Sequence, residues 1–427
     1  MEKIKTFSQP IVFWSVAIIV LTLYNLTPHL NSFDTDFYIL AGQNLLDGKI
    51  DCLRTPVYPL LCQTFIKVFG LKWLPTAMTI FQSLIYLVSL VSLQHIANYI
   101  IKNKIIRFLT LFFYIICIAP GWCNEILTES LSISGCVIMT DLVLSFVYKP
   151  TFAKIIILHL LLILLVFLRP TFIIFFAILP VVWLLNSTQL KFKILSFALT
   201  VVCILCFGTY CTAYKNVYGR FGSSATLVFN KIYDAHRGGY WDTSSVTSPV
   251  SKKWIDYIDD NYTGNYALFY HTFMNHPESM VPISDGCDEI IKAHKRQWQK
   301  YRIQLFASSC DKRMLAAVNT HTPLSSALFF TSLFLSFPLS LFYLISLFAV
   351  IALIVYFIIH KSIPIGHFLI IAAIIAYTVG IVLYTSDSHE RSLLPIYPLF
   401  IILLGSIIEK MTLFFSKSNQ DLTANTL

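Results

Sequence analysis

The stretch FDTDFY, residues 33–38, sets two carboxylates, Asp34 and Asp36, two positions apart just beyond an apolar run. A carboxylate there can take a proton from a hydroxyl, and two of them in a loop can share Mg²⁺ or Mn²⁺ through oxygen ligands. Seven further ionisable groups stand near the ends of other apolar runs: Arg54, Glu125, Glu129, Arg169, His389, Glu390 and Arg391. Guanidinium groups suit bidentate contact with phosphate. An ionisable group at the end of a membrane span is costly and is by default a functional candidate. The alternative for any single one is a side chain that reaches to the interface and anchors a helix end.

The elements that must position these groups follow from composition. Of 427 residues, 56% are hydrophobic and 12% charged, with mean hydropathy +0.71. Soluble domains carry about 25% charged residues, so lipid is the solvent for most of this chain and the fold class is an all-α polytopic membrane protein. Its net charge of +9 is accounted for by cytoplasmic anchoring lysines rather than by a nucleic-acid partner. The head Met1–Pro10 and the run Ile11–Leu26 read as a retained first helix, with no small-residue cleavage site after it. Cysteines such as Cys203 and Cys206 fall within apolar runs and read as packing; Cys287 and Cys310 share one polar segment where a disulfide is conceivable.

Crossing a bilayer takes about 20 apolar residues. Candidate spans lie near 11–29, 75–100, 106–120, 126–148, 153–168, 171–189, 194–214, 338–360, 364–384 and 393–412. The stretch 325–337 is too short and reads as re-entrant or interfacial. Lys3 and Lys5, then Lys102, Lys104 and Arg107, then Lys149 and Lys154, Lys191 and Lys193, Lys361, and Lys410 with Lys417 occupy every second connector. By the positive-inside rule those connectors are cytoplasmic, ten spans result, and both termini lie in the cytosol. The nine ionisable groups named above then share the outer face.

Two amphipathic segments follow the first span, one from Asp36 to Leu46 and one from Val57 to Phe69, stopped by Gly70. Neither is long enough to cross, and both are expected in the outer interface. The polar segment 215–324 is long enough for a small outer domain, with helical periodicity in 252–275 and 284–318. The organisation is therefore a transmembrane module over 1–214 with its outer loop at 30–74, a loop domain over 215–324, transmembrane helices over 325–412 and a cytoplasmic tail over 413–427.

The run FDTDFYILAGQNLLDGKIDCLRTPVYPLLCQTFIKVFG resembles the first outer loop of the GT-C membrane glycosyltransferases, of the protein mannosyltransferase and aminoarabinose transferase type. LTESLS, LRPTF and HERSLLPIYPLF resemble further landmarks of that superfamily. The likeness covers about residues 1–190 and 380–412 and leaves out 215–324. It implies sugar transfer, with inversion, from a polyprenyl-phosphate donor to an envelope glycan, lipid or protein acceptor on the outer face of the plasma membrane.

By its spacing to Tyr38, Asp34 matches the family's catalytic acid, which makes it the expected general base. Asp36 departs from the commoner Asp-Glu pair. The resemblance requires no cofactor here, although DTD leaves a divalent metal, Mg²⁺ or Mn²⁺, open. A departing phosphate calls for cations, and Arg391, His389, Arg169 and Arg54 are the candidates, Arg54 also as a partner of Asp34. Glu129 is expected to orient the acceptor or Arg391. Tyr38, Glu125, His236, Arg237 and Trp241 are candidate acceptor or sugar contacts; for the three in DAHRGGYW, packing of the loop weighs more. A polysaccharide polymerase or ligase would depend on Arg and His of the long loop instead. A transporter would show charges at the midplane and broken helices in paired repeats, and the sequence has no such pair.

Overall fold

The structure, a computed structural model, describes residues 2–25, 33–117, 120–185, 189–261, 266–311, 351, 355, 364–384 and 393–424. Among them every regular element is helical: α1 (Glu2–Asn25), α2 (Phe33–Leu46), α3 (Val57–Phe69), α4 (Leu74–Ile100), α5 (Lys104–Cys117), α6 (Glu129–Tyr148), α7 (Phe152–Leu168), α8 (Phe175–Leu185), α9 (Leu190–Tyr218), α10 (Thr226–Arg237), α11 (Pro249–Asn261), α12 (Tyr266–Asn275), α13 (Met280–Ala293), α14 (Lys295–Asp311), α15 (Ile365–Tyr384) and α16 (Tyr397–Ala424).

The helices form because their apolar residues recur at helical spacing. In α1, Phe13, Ala17 and Leu21 face inward while Ile11, Ile18 and Ile19 are exposed. That outward apolar face needs lipid around it. The inner contacts use small residues: α4 buries Ser83, Ser89, Ser92 and Ala97, and α6 buries Ser130, Ser132, Ser134 and Gly135. Small side chains let helix backbones approach closely in a membrane, where burying apolar surface drives nothing. A Cβ on Gly135 would come within 2.4 Å of a Leu165 methyl, so α7 packs directly on that glycine. Helix α6 lies at the centre, with 67% of its span buried, and α9 at the rim, with 28%.

Four helical stretches are long and apolar enough to cross a membrane: Leu71–Ile100, Glu129–Tyr148, Leu190–Tyr218 and Leu394–Leu413. Ile11–Leu23, Val57–Phe69, Phe152–Leu168, Pro170–Pro180 and Ile365–Thr378 are shorter apolar helices. Four of the ten expected spans, 75–100, 126–148, 194–214 and 393–412, therefore meet both length and composition among the described residues. The 17 residues of α7 rise about 26 Å, at the short end of what a span uses. The candidate span 338–360, apart from Ile351 and Val355, and the stretch 325–337 lie outside the described residues.

Helices α2 and α3 pack on each other, and Gly70, with φ of 84°, ends α3. Helices α10–α14 form a module with its own apolar core, which takes in Phe37, Cys52 and Leu53 of the first loop and Tyr214 and Tyr218 of α9. Backbone bonds fasten the two: the Cys52 carbonyl accepts from the Ala225 N–H at 2.6 Å and the Tyr214 hydroxyl at 2.9 Å, and the Ile50 carbonyl from the Tyr218 hydroxyl at 2.7 Å. Cys287 carries a free, buried thiol, not a disulfide with Cys310, and Cys203 and Cys206 are free as well.

At the opposite end of the bundle, the Asn103 backbone N–H donates to Glu409 of α16. The connector that holds Lys102 and Lys104 therefore lies beside Glu409 of α16.

Candidate active site

Asp34 and Asp36 sit in the first turn of α2, where carboxylates favour the positive end of the helix dipole. The expected loop at DTD is therefore helix. Residues two apart on a helix do not face each other, and the pair diverges. Asp34 turns to Arg54, with Arg54 Nη2 2.5 Å from Asp34 Oδ1 and side-chain exposures of 20% and 25%. Asp36 is exposed and lines a shallow groove of about 410 Å³ between α2 and α3, with Ile39, Gln43 and Gln63. An ion shared by the two carboxylates of DTD would have to compete with Arg54 for Asp34. Among the described residues no three His, Cys, Asp or Glu side chains gather as a metal site.

The Arg54 guanidinium lies 4.5 Å from the centre of the Tyr38 ring and donates to its hydroxyl at 3.4 Å. Cation–π contact of this kind fixes the guanidinium plane. Tyr38 in turn meets Tyr58 edge to face at 4.7 Å, and the Tyr58 hydroxyl donates to Gln82 at 3.4 Å. Gln82 is completely buried and gives its amide hydrogens to the carbonyls of Cys123 at 3.1 Å and Glu125 at 2.8 Å. Tyr38 is thus a support for Arg54, and Glu125 enters the network through its backbone. Burial pushes the Tyr58 phenol well above its ordinary range, and Cys62, Tyr38, Glu129 and Glu125 add to the push. It stays a neutral donor.

A second ion pair stands beside the first. Arg169 follows the end of α7 and places Nη2 3.1 Å from Glu129 Oε1 in the first turn of α6; the glutamate side chain is wholly buried. The Thr55 hydroxyl donates to the Leu168 carbonyl at 3.4 Å. Since Thr55 neighbours Arg54 and Leu168 neighbours Arg169, this one bond sets the two arginines side by side. Glu129, expected to orient an acceptor or Arg391, is held by Arg169. After Arg169 the turn Pro170–Ile174 packs on α15, and the Thr171 hydroxyl is hydrogen-bonded to the Tyr377 hydroxyl at 3.1 Å.

His389, Glu390 and Arg391 lie outside the described residues. The described chain resumes at a buried Leu393, and the turn Leu394–Ile396 packs against α6, the helix that carries Glu129. His236, Arg237 and Trp241 belong to the loop module. The His236 ring stacks on Trp241 at 4.1 Å, Trp241 Nε1 donates to Asp259 at 2.8 Å, and Arg237 lies 5.1 Å over the Tyr233 ring. Burial lowers the His236 pKa to about 4. All three are therefore built into the packing of the module rather than into the two ion pairs.

Asp51 was not singled out from the sequence. Its side chain is completely buried, and one oxygen, Oδ1, accepts the backbone N–H groups of Leu53 at 2.9 Å and Arg54 at 2.8 Å. The available signal was local: an Asp ahead of Leu-Arg-Thr-Pro is a turn former that captures amides two and three residues on.

No protein-family model matches the chain, and no curated protein matches it. Among solved structures it is similar to the archaeal oligosaccharyltransferase AglB from Archaeoglobus fulgidus, in complex with an inhibitory peptide and a dolichol-phosphate. The TM-score is 0.51 at 11% sequence identity, over 99% of this chain and 52% of that one. The chain thus spans about half the length of that enzyme, and the likeness is one of fold: a helical membrane architecture.

Proposed function

We propose that the chain is a membrane glycosyltransferase that moves a sugar from a polyprenyl-phosphate donor to a hydroxyl-bearing glycan, lipid or protein acceptor. The observation that carries this reading is the Asp34–Arg54 pair standing next to Glu129–Arg169 at one end of the bundle. The fold likeness to an oligosaccharyltransferase, and the dolichol-phosphate bound to that protein, support a lipid-linked donor.

In the proposed reaction the acceptor hydroxyl attacks the anomeric carbon from the face opposite the phosphate, and Asp34 takes its proton. The bond from the anomeric carbon to the phosphate oxygen breaks, the electron pair leaves with the polyprenyl phosphate, and the configuration inverts. A phosphate carries negative charge well, so cations rather than a strong acid are wanted at the leaving group. Arg169 suits this: Nη2 holds Glu129, while the buried Nη1 has no hydrogen-bond partner among the described residues. Arg391 and His389 are proposed as further phosphate contacts on sequence grounds.

Directly beyond the Pro170–Ile174 turn, an apolar crevice of about 230 Å³ opens between α8 and α15, lined by Ile174, Ile178, Val182, Phe368 and Ala372 among others. Its chemistry suits an isoprenoid chain whose phosphate is at Arg169. The lysine-bearing connectors support an outer-face position for this end of the bundle, with both termini in the cytosol.

Mass spectrometry of lipid extracts tests the proposal in the native host. A strain lacking the gene accumulates one polyprenyl-phosphate sugar and loses a matching envelope modification; the wild-type gene reverses both changes and the Asp34→Asn gene reverses neither. An unchanged lipid-linked sugar pool in the deletion strain would contradict the proposal.

A further inference from the structure

We infer that Tyr270, on the loop module, is a positioning residue for this transfer: it holds Asp51, Asp51 holds the backbone of Arg54, and Arg54 holds Asp34. The inference deepens the reading proposed above and rests on it.

Every link is a short contact. The Tyr270 hydroxyl donates to Asp51 Oδ2 at 2.6 Å, and Asn44 Nδ2 reaches the same oxygen at 3.2 Å and the Tyr270 hydroxyl at 3.0 Å. Asp51 Oδ1 takes the Leu53 and Arg54 N–H groups. The Asp51 carboxylate is buried with no cation among its partners, so these four donors are what compensates its lost hydration. The Tyr270 ring also packs edge to face on Phe37 at 5.0 Å. One side chain of α12 therefore touches both arms of the first loop, α2 and the turn before α3. Burial and the Asp51 charge push the Tyr270 phenol far above its ordinary range, which keeps it a donor.

Removing the phenol oxygen leaves a buried carboxylate one donor short, and such a group re-satisfies itself by moving. The residue that moves with it is Arg54, whose own N–H is bound to the same carboxylate. The module itself remains fastened, because the bonds from Tyr214, Tyr218 and Ala225 to the first loop do not involve Tyr270. The expected consequence is a misplaced Asp34 on an otherwise folded protein. Misplacement of a reacting group by about 1 Å costs on the order of 10²-fold in rate.

The test uses the full chain in liposomes with a polyprenyl-phosphate sugar. Tyr270→Phe lowers kcat by about ten- to a hundredfold while the donor KM stays within about twofold. In an Arg54→Ala background the same substitution has no further effect on kcat, since the two act through one chain of contacts. Wild-type kcat in Tyr270→Phe, or an equal loss in both backgrounds, would overturn the inference. Asp34→Asn in the same assay separates the two readings: if it turns over like wild type, the proposed chemistry fails. Trypsin cleavage after Arg54 then reads the contact chain without turnover. It quickens in Tyr270→Phe if Tyr270 pins this turn, and an unchanged rate would overturn the inference.

Discussion

The Asp34–Arg54 and Glu129–Arg169 pairs differ in one respect that separates their roles. Both join a carboxylate in the first turn of a helix to an arginine from another segment. Asp34 keeps a quarter of its side chain exposed, and Glu129 keeps none. An exposed carboxylate can meet a substrate hydroxyl and pass its proton on. A buried one cannot exchange protons freely, and its charge is tolerated only because a partner answers it. The same pairing thus yields a partly exposed carboxylate, the proposed base, and a strut inside the bundle.

Breaking the strut gives the largest expected change in stability. Glu129→Ala leaves Arg169 without its partner and costs about 3–5 kcal/mol, seen as a sharp fall in the melting temperature of the detergent-solubilised protein. Breaking the partly exposed pair is gentler on the fold: Arg54→Ala costs about 1–2 kcal/mol, yet lowers turnover because Asp34 loses its orientation. Equal losses of stability in the two variants would erase the comparison.

A milder prediction concerns the loop module, whose His236 has a pKa lowered to about 4 by burial, with Asp259 pulling the other way. The folded state prefers the neutral ring, so its contribution is intact above the unfolded value of about 6.5 and is lost as pH falls toward 4. Loosening of the module below about pH 6, followed by hydrogen exchange in α10, is the expected result, and His236→Phe flattens it. The smallest effect belongs to Asp36→Asn, which changes an exposed groove residue; stability moves by no more than about 0.5 kcal/mol, and turnover stays close to wild type, in contrast to Asp34.

The first loop was legible because its two helices are short, amphipathic and bounded by Asp47-Gly48 and Gly70. The partnership of Arg54 with Asp34 was one of two partners expected for that arginine. DTD was misread as loop because acidic residues in a polar stretch look like loop, whereas here they begin a helix. The bond between Glu129 and Arg169 joins residues 40 apart and could not be read from either local pattern. For Asp51 only the local turn was legible, because the donor that completes it, Tyr270, lies 219 residues away. Within the candidate span 171–189, the hydropathy run conceals the 3₁₀ turn at Pro170–Ile174 and Pro180 inside α8.

Turnover of Asp34→Asn, measured in liposomes with a polyprenyl-phosphate sugar and set beside its melting temperature, tests the central claim most directly. The account predicts a loss of at least about 10²-fold at unchanged donor affinity and an unchanged melting temperature. Wild-type transfer by the Asn variant would contradict it.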